Sequence, residues 1–510
     1  MAADLMLRNM AGQRLDGQLE PVELIAIQGN RITYAGAADA LGELCDADTR
    51  VIDCQGGMVL PGFNDAHCHP FAFAMSQIYL DCSQARCIGD ILAVVRGQAG
   101  RARKQKWLRA AQVDVSSVAE NRLPYRWELD KAVADRPILL VERSGQHCAL
   151  NTLALALCGI DENTADAENE SIGRDPVSRK PNGLVSGNSE RIARAIPPPT
   201  DEEIQAGLRQ ANLVYLSLGI TSLQDTSWSN TYHHWQAWHN FKQRGLLAPR
   251  LTMLAGYDAL EELKEKGLRT GHGDLQIRLG AMKIALDESS GVLYPSQEDL
   301  NQAALRTHLA GFQLSFHVPD VELLQTSLRA LAFVSGMALT PCARPRFEHC
   351  PVCPPSLMPM LAESEAIIVS QPNLFQQTGP AYLDQVAGEQ LNWIYPYRSF
   401  LDHGIPLAFS SDAPLTPCDP LQAILTALTR TVSGGQKLVK EQQLSLFEAI
   451  DAYTSAGAYA TGEELEKGKL AQGQLADLTV LHTHGETLPE QFATAEVVMT
   501  LIDGNIAWEK

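Results

Sequence analysis

The sequence predicts an α/β protein: a (β/α)8 barrel, a small β-sandwich domain built from both chain termini, and a lobe inserted after the first barrel strand. Three observations carry this expectation. In the middle of the chain eight short apolar runs end in polar residues, and most are separated by amphipathic stretches, the pattern of parallel strands with crossover helices. Both ends of the chain instead alternate brief β-rich runs with turn residues. Finally, the gap after the first run is longer than any single crossover needs.

Taken in order, residues 1–58 read as the first half of the sandwich, a meander of Leu5–Leu7, Val22–Ile27, Ile32–Ala35 and Val51–Cys54 before Gly56-Gly57. The barrel is expected over residues 59–460. Its runs are Val59–Asp65, Ile220–Asp225, Leu251–Gly256, Leu279–Leu286, Gln313–His317, Arg346–His349, Ala366–Gln371 and Leu407–Asp412, with Asp299–Ala310 and Val321–Val334 among the amphipathic connections. The inserted lobe, about residues 76–199, has strand-like pieces of its own, Trp107–Val113 and Pro137–Val141, and is expected over the barrel mouth. It ends in Ile196-Pro-Pro-Pro199, where Thr200 or Asp201 can cap the next helix. Asn163 to Asn182 is polar and aperiodic, so a surface loop or lid is expected. Tyr232-His233-His234-Trp235 is expected to start a helix, on which adjacent histidines point apart. Residues 461–510 complete the sandwich through Asp477–Leu481, Ala495–Leu501 and, after the turn Asp503-Gly504-Asn505, Ile506–Trp508.

The 510 residues, 45% hydrophobic and 20% charged, suffice for more than one buried core. Against 41 basic residues stand 60 acidic ones, and the resulting charge of −19 repels phosphate backbones and anionic headgroups. Neither nucleic acid nor membrane is therefore an expected partner; a small-molecule substrate is, and a homo-oligomer is left open. No apolar run reaches the roughly 18 residues of a spanning helix, and the start lacks the basic-then-apolar order of a secretory signal. The expected location is the cytoplasm. The 11 cysteines are scattered and odd in number, which is not a disulfide framework. Cys350-Pro-Val-Cys353 has CxxC spacing, but no second pair completes four ligands, so small half-buried thiols are expected.

In a barrel of this kind the reactive groups project from the C-terminal ends of the strands. Here those ends carry a metal-ligand set. His67 and His69 close the first run one residue apart, so both imidazoles face one side of the strand and can reach one ion. The fifth run ends at His317, the sixth at Glu348-His349 and the eighth at Ser410-Ser411-Asp412. Four histidines and an aspartate at four strand ends, in the order of the barrel walls, predict a divalent cation, Zn2+ first, with Fe or Mn able to substitute. Such a cation draws the pKa of water toward neutrality and polarises a carbonyl. Asp412 is placed to take the proton and deliver it to a leaving group.

The segment Pro61-Gly62-Phe63-Asn64-Asp65-Ala66-His67-Cys68-His69, followed in order by the strand-end His, His and Asp, resembles the signature of the amidohydrolase superfamily. The closing Gly468-Lys469-Leu470 to Gly473-Gln474-Leu475-Ala476-Asp477-Leu478 is similar to the segment with which these enzymes return to their β-sandwich. Trp107–Asp114, the Arg143-Ser-Gly to Asn151 stretch and Phe409-Ser-Ser-Asp-Ala-Pro414 most resemble the YtcJ-like group (amidohydrolase family 3), a branch that includes N-substituted formamide deformylase.

The resemblance implies that Lys283, in Gly280-Ala-Met-Lys283, is carboxylated by CO2 and bridges two cations. His67, His69 and Asp412 would then hold one ion, and His317 and His349 the other. The alternative is a plain lysine paired with Asp287 or Glu288. The implied reaction is hydrolysis of an amide-like C–N bond in a small N-acyl or N-formyl compound, on one or two metal ions. Its rivals are a mononuclear deaminase of a heterocyclic C=N and a catalytically inactive binding or assembly subunit that retains the ligands. Two substrate contacts are expected. His147 lies in Gly145-Gln-His-Cys, one place from the family's Gly-His, with core packing as the alternative. Arg398 could clamp a carboxylate or carbonyl, or lie on a helix surface. Asp287-Glu-Ser-Ser-Gly291 replaces the group's usual Asp-Gly and suggests an altered pocket rim.

Overall fold

At the N terminus, β-branched and aliphatic runs broken by turns form β1 (Leu5–Gln13), β2 (Pro21–Gln28), β3 (Arg31–Gly36), β4 (Arg50–Asp53) and β5 (Met58–Pro61). The barrel begins with β6 (Phe63–Cys68). A second body contributes β7 (Leu80–Asp81), β8 (Leu108–Val113), β9 (Ile138–Glu142), β10 (His147–Leu150), β11 (Glu170–Arg174) and β12 (Pro181–Gly187). The barrel resumes with β13 (Ile220–Asp225), β14 (Arg250–Gly256), β15 (Ile277–Ile284), β16 (Leu314–Val318), β17 (Arg346–His349), β18 (Ile367–Ser370) and β19 (Leu407–Phe409). The chain closes with β20 (Leu478–His482), β21 (Glu496–Ile502) and β22 (Asn505–Glu509). This is a computed structural model, and it describes residues 2–510 except 14–20, 100–106, 144, 168–169, 188, 287–294, 339, 387 and 484–491. The chain packs as two units, Met1–Pro70 with Asn212–Lys510, and Phe71–Ala211.

The barrel sheet runs in the order β6, β13, β14, β15, β16, β17, β18, β19, with each pair parallel. Its strands are buried on both faces, which is why β13 (Ile-Thr-Ser-Leu-Gln-Asp) and β14 (Arg-Leu-Thr-Met-Leu-Ala-Gly) lack the strict apolar–polar alternation of a half-exposed strand. The ends of the sheet meet at the rim, where the Asp412 N–H donates to the His67 carbonyl at 2.7 Å and the His69 N–H to the Ala413 carbonyl at 2.8 Å. Between β6 and β13 the register slips: β6 advances from Asp65 to Cys68 while β13 advances only from Leu223 to Asp225. The extra residue shifts the side-chain alternation of β6 in mid-strand.

One expectation is corrected at the first run. Val59–Asp65 is not a single barrel strand. Met58–Pro61 pairs antiparallel with β20 and belongs to the terminal sheet, and the barrel strand starts after Gly62. The reason is a close approach: a Cβ at Gly62 would lie 2.1 Å from Thr221 Oγ1 and 2.3 Å from its Cγ2. The terminal sheet is continuous, β22-β21-β20-β5-β1-β2-β3, with β4 also paired to β1. Its interior is aliphatic, with Leu7, Val22, Ile25, Val59, Leu478, Val480 and Leu501 in one cluster. Arg250 at the start of β14 locks barrel to sheet. Its guanidinium, 2% exposed, donates to Asp477 at 2.6 and 2.9 Å and to Asp503 at 2.6 Å.

The second unit is a six-stranded sheet, β11-β12-β10-β9-β8-β7. Ile88, Ile91 and Val95 of the helix Ile88–Ala99 cluster with Leu108, Ala110 and Leu140, while Leu139 and Leu150 cluster with Ala154, Leu155, Ile172 and Val185. Asn163 to Asn182 is not the aperiodic loop expected: it contains β11 and the start of β12, paired antiparallel. The alternation is hidden because the register slips between Ile172 and Arg174 and because buried Glu170 accepts from Ser189 Oγ at 2.5 Å. Thr200 caps the helix Asp201–Ser217 through Glu203, and Thr231 caps the helix Tyr232–Gln243 through His234. Among the described residues no helix is long and apolar enough to cross a membrane.

Candidate metal centre

His67, His69 and Asp412 come together at the barrel rim with one ligand atom from each within 4.8 Å of the others. His69 Nε2 lies 3.2 Å from Asp412 Oδ1 and His67 Nε2 lies 3.6 Å from the same oxygen. His349 adds a ring 4.7 Å from that of His67, and His317 a ring 4.8 Å from that of His349. Strict alternation on β17 would put His349 with outward-facing Phe347; its φ of +77° breaks the alternation and turns the ring to the cluster. Asp412 likewise sits at a positive φ of +59°, and its neighbour Ser411 is tied by N–H and Oγ to buried Asp65, at 2.9 and 2.5 Å.

Each of three rings is held at Nδ1. Glu348 Oε2 is 2.6 Å from His67 Nδ1, Ser227 Oγ is 3.0 Å from His69 Nδ1, and Gln371 Oε1 is 3.0 Å from His349 Nδ1. Ser227 is in turn fixed by Asp225 at 2.7 Å. These contacts leave Nε2 as the atom each ring could offer to a cation. Among the described residues, two buried ring nitrogens, His67 Nε2 and His317 Nδ1, have no hydrogen-bond partner. Buried polar atoms without partners are costly, so a cation accepting both lone pairs fits the donor set.

The electrostatics favour ligation. Burial, reinforced by the Lys283 charge, pushes His67 down to about 3. Burial also depresses His349, and burial with the His349 ring depresses His317 well below its ordinary value. All three are therefore neutral at pH 7, the form that binds metal. Burial would raise the Asp412 carboxyl, but the hydrogen bond from His69 and the His67 and His349 rings hold it far below the usual carboxylate range. Lys283, 4% exposed on β15, has its pKa lowered by burial, against the pull of Glu348 and Asp412. The alternative pairing of Lys283 with Asp287 or Glu288, and the rim at Asp287–Gly291, lie outside the described residues.

Arg398 does not fit the expected clamp. It lies on the helix Tyr397–Asp402, and its two amino groups pair with Glu448 of the helix Leu446–Ala452 and with Asp402 at 3.4 Å. The guanidinium serves helix packing. His147 is exposed on β10, not packed in a core, with Nδ1 2.9 Å from Ser186 Oγ. Cys350 and Cys353 are free thiols and fully buried rather than half-buried. Sequence reasoning assigned no role to Glu348, Gln371, Ser227 or Asp225, although each stands at or just after the end of a strand run.

A His, His, Asp cluster at the C-terminal rim of a parallel eight-stranded barrel, with His67 and Asp412 buried and His69 half-buried, flanked by two further neutral imidazoles, defines the class: a metal-dependent hydrolase. The chain belongs to the amidohydrolase family, whose model matches residues 50–507, and it is a hydrolase acting on C–N bonds. It is 24% identical to the N-substituted formamide deformylase of Arthrobacter pascens, over 99% of this chain and 98% of that protein. It is 25% identical to the YtcJ protein of Bacillus subtilis (strain 168), over 96% of each. Among solved structures, an uncharacterized metal-dependent hydrolase from Pyrococcus furiosus shares the fold with a TM-score of 0.74 and 21% identity, covering 95% of this chain and 99% of that one. A second, from Pyrococcus horikoshii OT3, gives 0.76 and 20%, covering 96% and 99%.

Proposed function

We propose that the protein hydrolyses an amide-like C–N bond in a small N-acyl or N-formyl compound, with a divalent cation, zinc first, held by His67, His69, His317, His349 and Asp412. The observation that carries this reading is the convergence of His67, His69 and Asp412 ligand atoms within 4.8 Å. The N-formyl class is supported by the name of the Arthrobacter relative. When bound, the cation supplies Lewis acidity toward a carbonyl and toward water. The chain's own residues do the rest. Asp412 is ionised at neutral pH, accepts the proton of the attacking water and returns it to the departing nitrogen. His67, His69 and His349 offer Nε2, and His317 offers Nδ1, the atom left without a partner. Burial favours the neutral amine of Lys283, the form that reacts with CO2, so an N6-carboxylated Lys283 is part of the proposal and would lend anionic oxygens to a two-ion site. His147, exposed and held at Nδ1, is a substrate contact in this reading.

The test is metal analysis together with a panel of N-formyl, N-acyl and cyclic substrates. Chelator-sensitive release of formate or another acid from the open-chain amides supports the reading. Ammonia released from a heterocycle, with one zinc per chain, would identify a deaminase instead. A metal-loaded protein inert toward every panel member would favour the binding-subunit alternative. His147→Ala should raise KM with little change in kcat.

A further inference from the structure

We propose that Glu348 is a positioning residue that acts through His67, holding its ring in the Nδ1–H tautomer so that Nε2 is the atom offered to the cation. This rests on the metal-site reading above. Glu348 and His67 side chains are 0% and 1% exposed, with Oε2 of one 2.6 Å from Nδ1 of the other. An ionised carboxylate only accepts, so the ring proton must lie on Nδ1. The opposite nitrogen, Nε2, is the buried atom that lacks a partner.

The other carboxylate oxygen is equally committed. Glu348 Oε1 accepts from Ser315 Oγ at 2.7 Å and from Arg346 Nε at 2.8 Å. Arg346, itself 0% exposed, donates from Nη1 to Gln224 Oε1 at 2.5 Å and from Nη2 to the Ala66 carbonyl at 2.7 Å. Glu348 Oε2 also accepts from Arg346 Nη2, at 3.3 Å, but its short contact, 2.6 Å, is with His67 Nδ1. The partners of His69 and His349 are a neutral hydroxyl and a neutral amide. Of the three Nδ1 hydrogen bonds, that of His67 is the one made to a carboxylate; the nearest carboxylate oxygen to His349 Nδ1, from Asp412, lies at 3.9 Å. A carboxylate in that place strengthens the opposite nitrogen as a metal ligand.

The experiment measures Zn2+ affinity by chelator competition for wild type, Glu348→Gln, His67→Ala and the double variant, and reads the His67 tautomer in metal-free protein by 15N-histidine NMR. Glu348→Gln is expected to weaken affinity roughly 10–100-fold and to cost nothing further in the His67→Ala background. The metal-free wild type should show Nδ1–H, and Glu348→Gln a mixture. An equal loss in both backgrounds, an unchanged affinity, or an Nε2–H ring in the wild type would each overturn the proposal. If Glu348→Gln fails to fold, Ser315→Ala keeps the charge and removes one restraint, with a few-fold loss expected that again vanishes without His67. Failure of the wild type to bind Zn2+ would sink the metal reading, while the tautomer measurement still decides the role of Glu348.

Discussion

Acidifying the metal-free protein perturbs the candidate centre most directly. In the folded chain His67 protonates only at about 3, whereas an unfolded histidine does so near 6.5. Between those values the unfolded state binds the extra proton, so stability is present above about pH 6.5 and is lost as pH falls toward 3. At pH 5 the loss from His67 alone is about 2 kcal/mol, from one and a half pH units. Asp65 works in the opposite direction: burial raises it to about 6, so the native state holds that proton longer and gains about 1.4 kcal/mol on going down to pH 5. His67 would be largely cancelled if it stood alone. His317 and His349, and outside the centre His234 and His239, are depressed in the same direction as His67, while burial raises Asp419 and Asp451 as it does Asp65; five imidazoles then oppose three carboxyls and the net effect is destabilising. Urea denaturation of EDTA-treated protein at intervals from pH 7.5 to 5 should show a falling midpoint. Saturating Zn2+ should offset the fall at its upper end, since the cation binds the neutral rings. A midpoint that stays flat or rises on acidification, with the same slope in His67→Asn, would refute the claim that these rings are buried and neutral.

Four further outcomes are expected. Asp412→Asn should lower turnover about 10²–10⁴-fold, by more than it lowers bound metal measured by atomic emission; full activity would remove Asp412 from proton transfer. His349→Ala should lower bound metal as well as turnover, and unchanged metal content would strike it from the ligand set. Arg250→Met leaves Asp477 buried without its partner and should cost about 3–5 kcal/mol in denaturant unfolding, with bound metal retained in the protein that stays folded. Gly62→Ala forces Thr221 aside and should cost about 1–3 kcal/mol; Thr221→Ala, which removes the atoms at 2.1 and 2.3 Å, should recover part of it.

Much of the fold was legible because parallel barrel strands, buried on both faces, leave dense apolar runs that end abruptly in polar residues. Seven of the eight expected runs, from Ile220–Asp225 to Leu407–Asp412, overlap one barrel strand each. The first did not, since nothing in the composition of Val59–Asp65 shows that Pro61 and Gly62 change sheets. That division depends on β20, which pairs with β5 from more than four hundred residues away, and on the approach of Thr221. The hairpin of β11 and β12 was missed for a different reason. A strand of five residues with a register slip and a buried glutamate has too little alternation left to read.

The candidate centre divides along the same line between local and distant cause. The paired imidazoles of β6 were readable as a motif, but their aim depends on the register slip that lets both Asn64 and His67 enter one interior network. Asn64 Oδ1 accepts from Gln224, Gln224 accepts from Arg346, and Arg346 and His67 share Glu348. Three residues apart on an unbroken strand, Asn64 and His67 would face opposite sides. His349 escapes alternation through a left-handed φ, a conformation no neighbour in Arg346-Phe347-Glu348-His349 announces. Arg398 shows the reverse case: its sequence neighbourhood left a clamp and a helix surface both open, and the pairing with Glu448, fifty positions later, favours the second. The candidate ligands were therefore written locally, while their orientation was written by contacts across the barrel. It follows that Glu348, Gln371 and the Asp225–Ser227 pair should govern how tightly a cation is held, while the residues visible as a motif govern whether it is held at all.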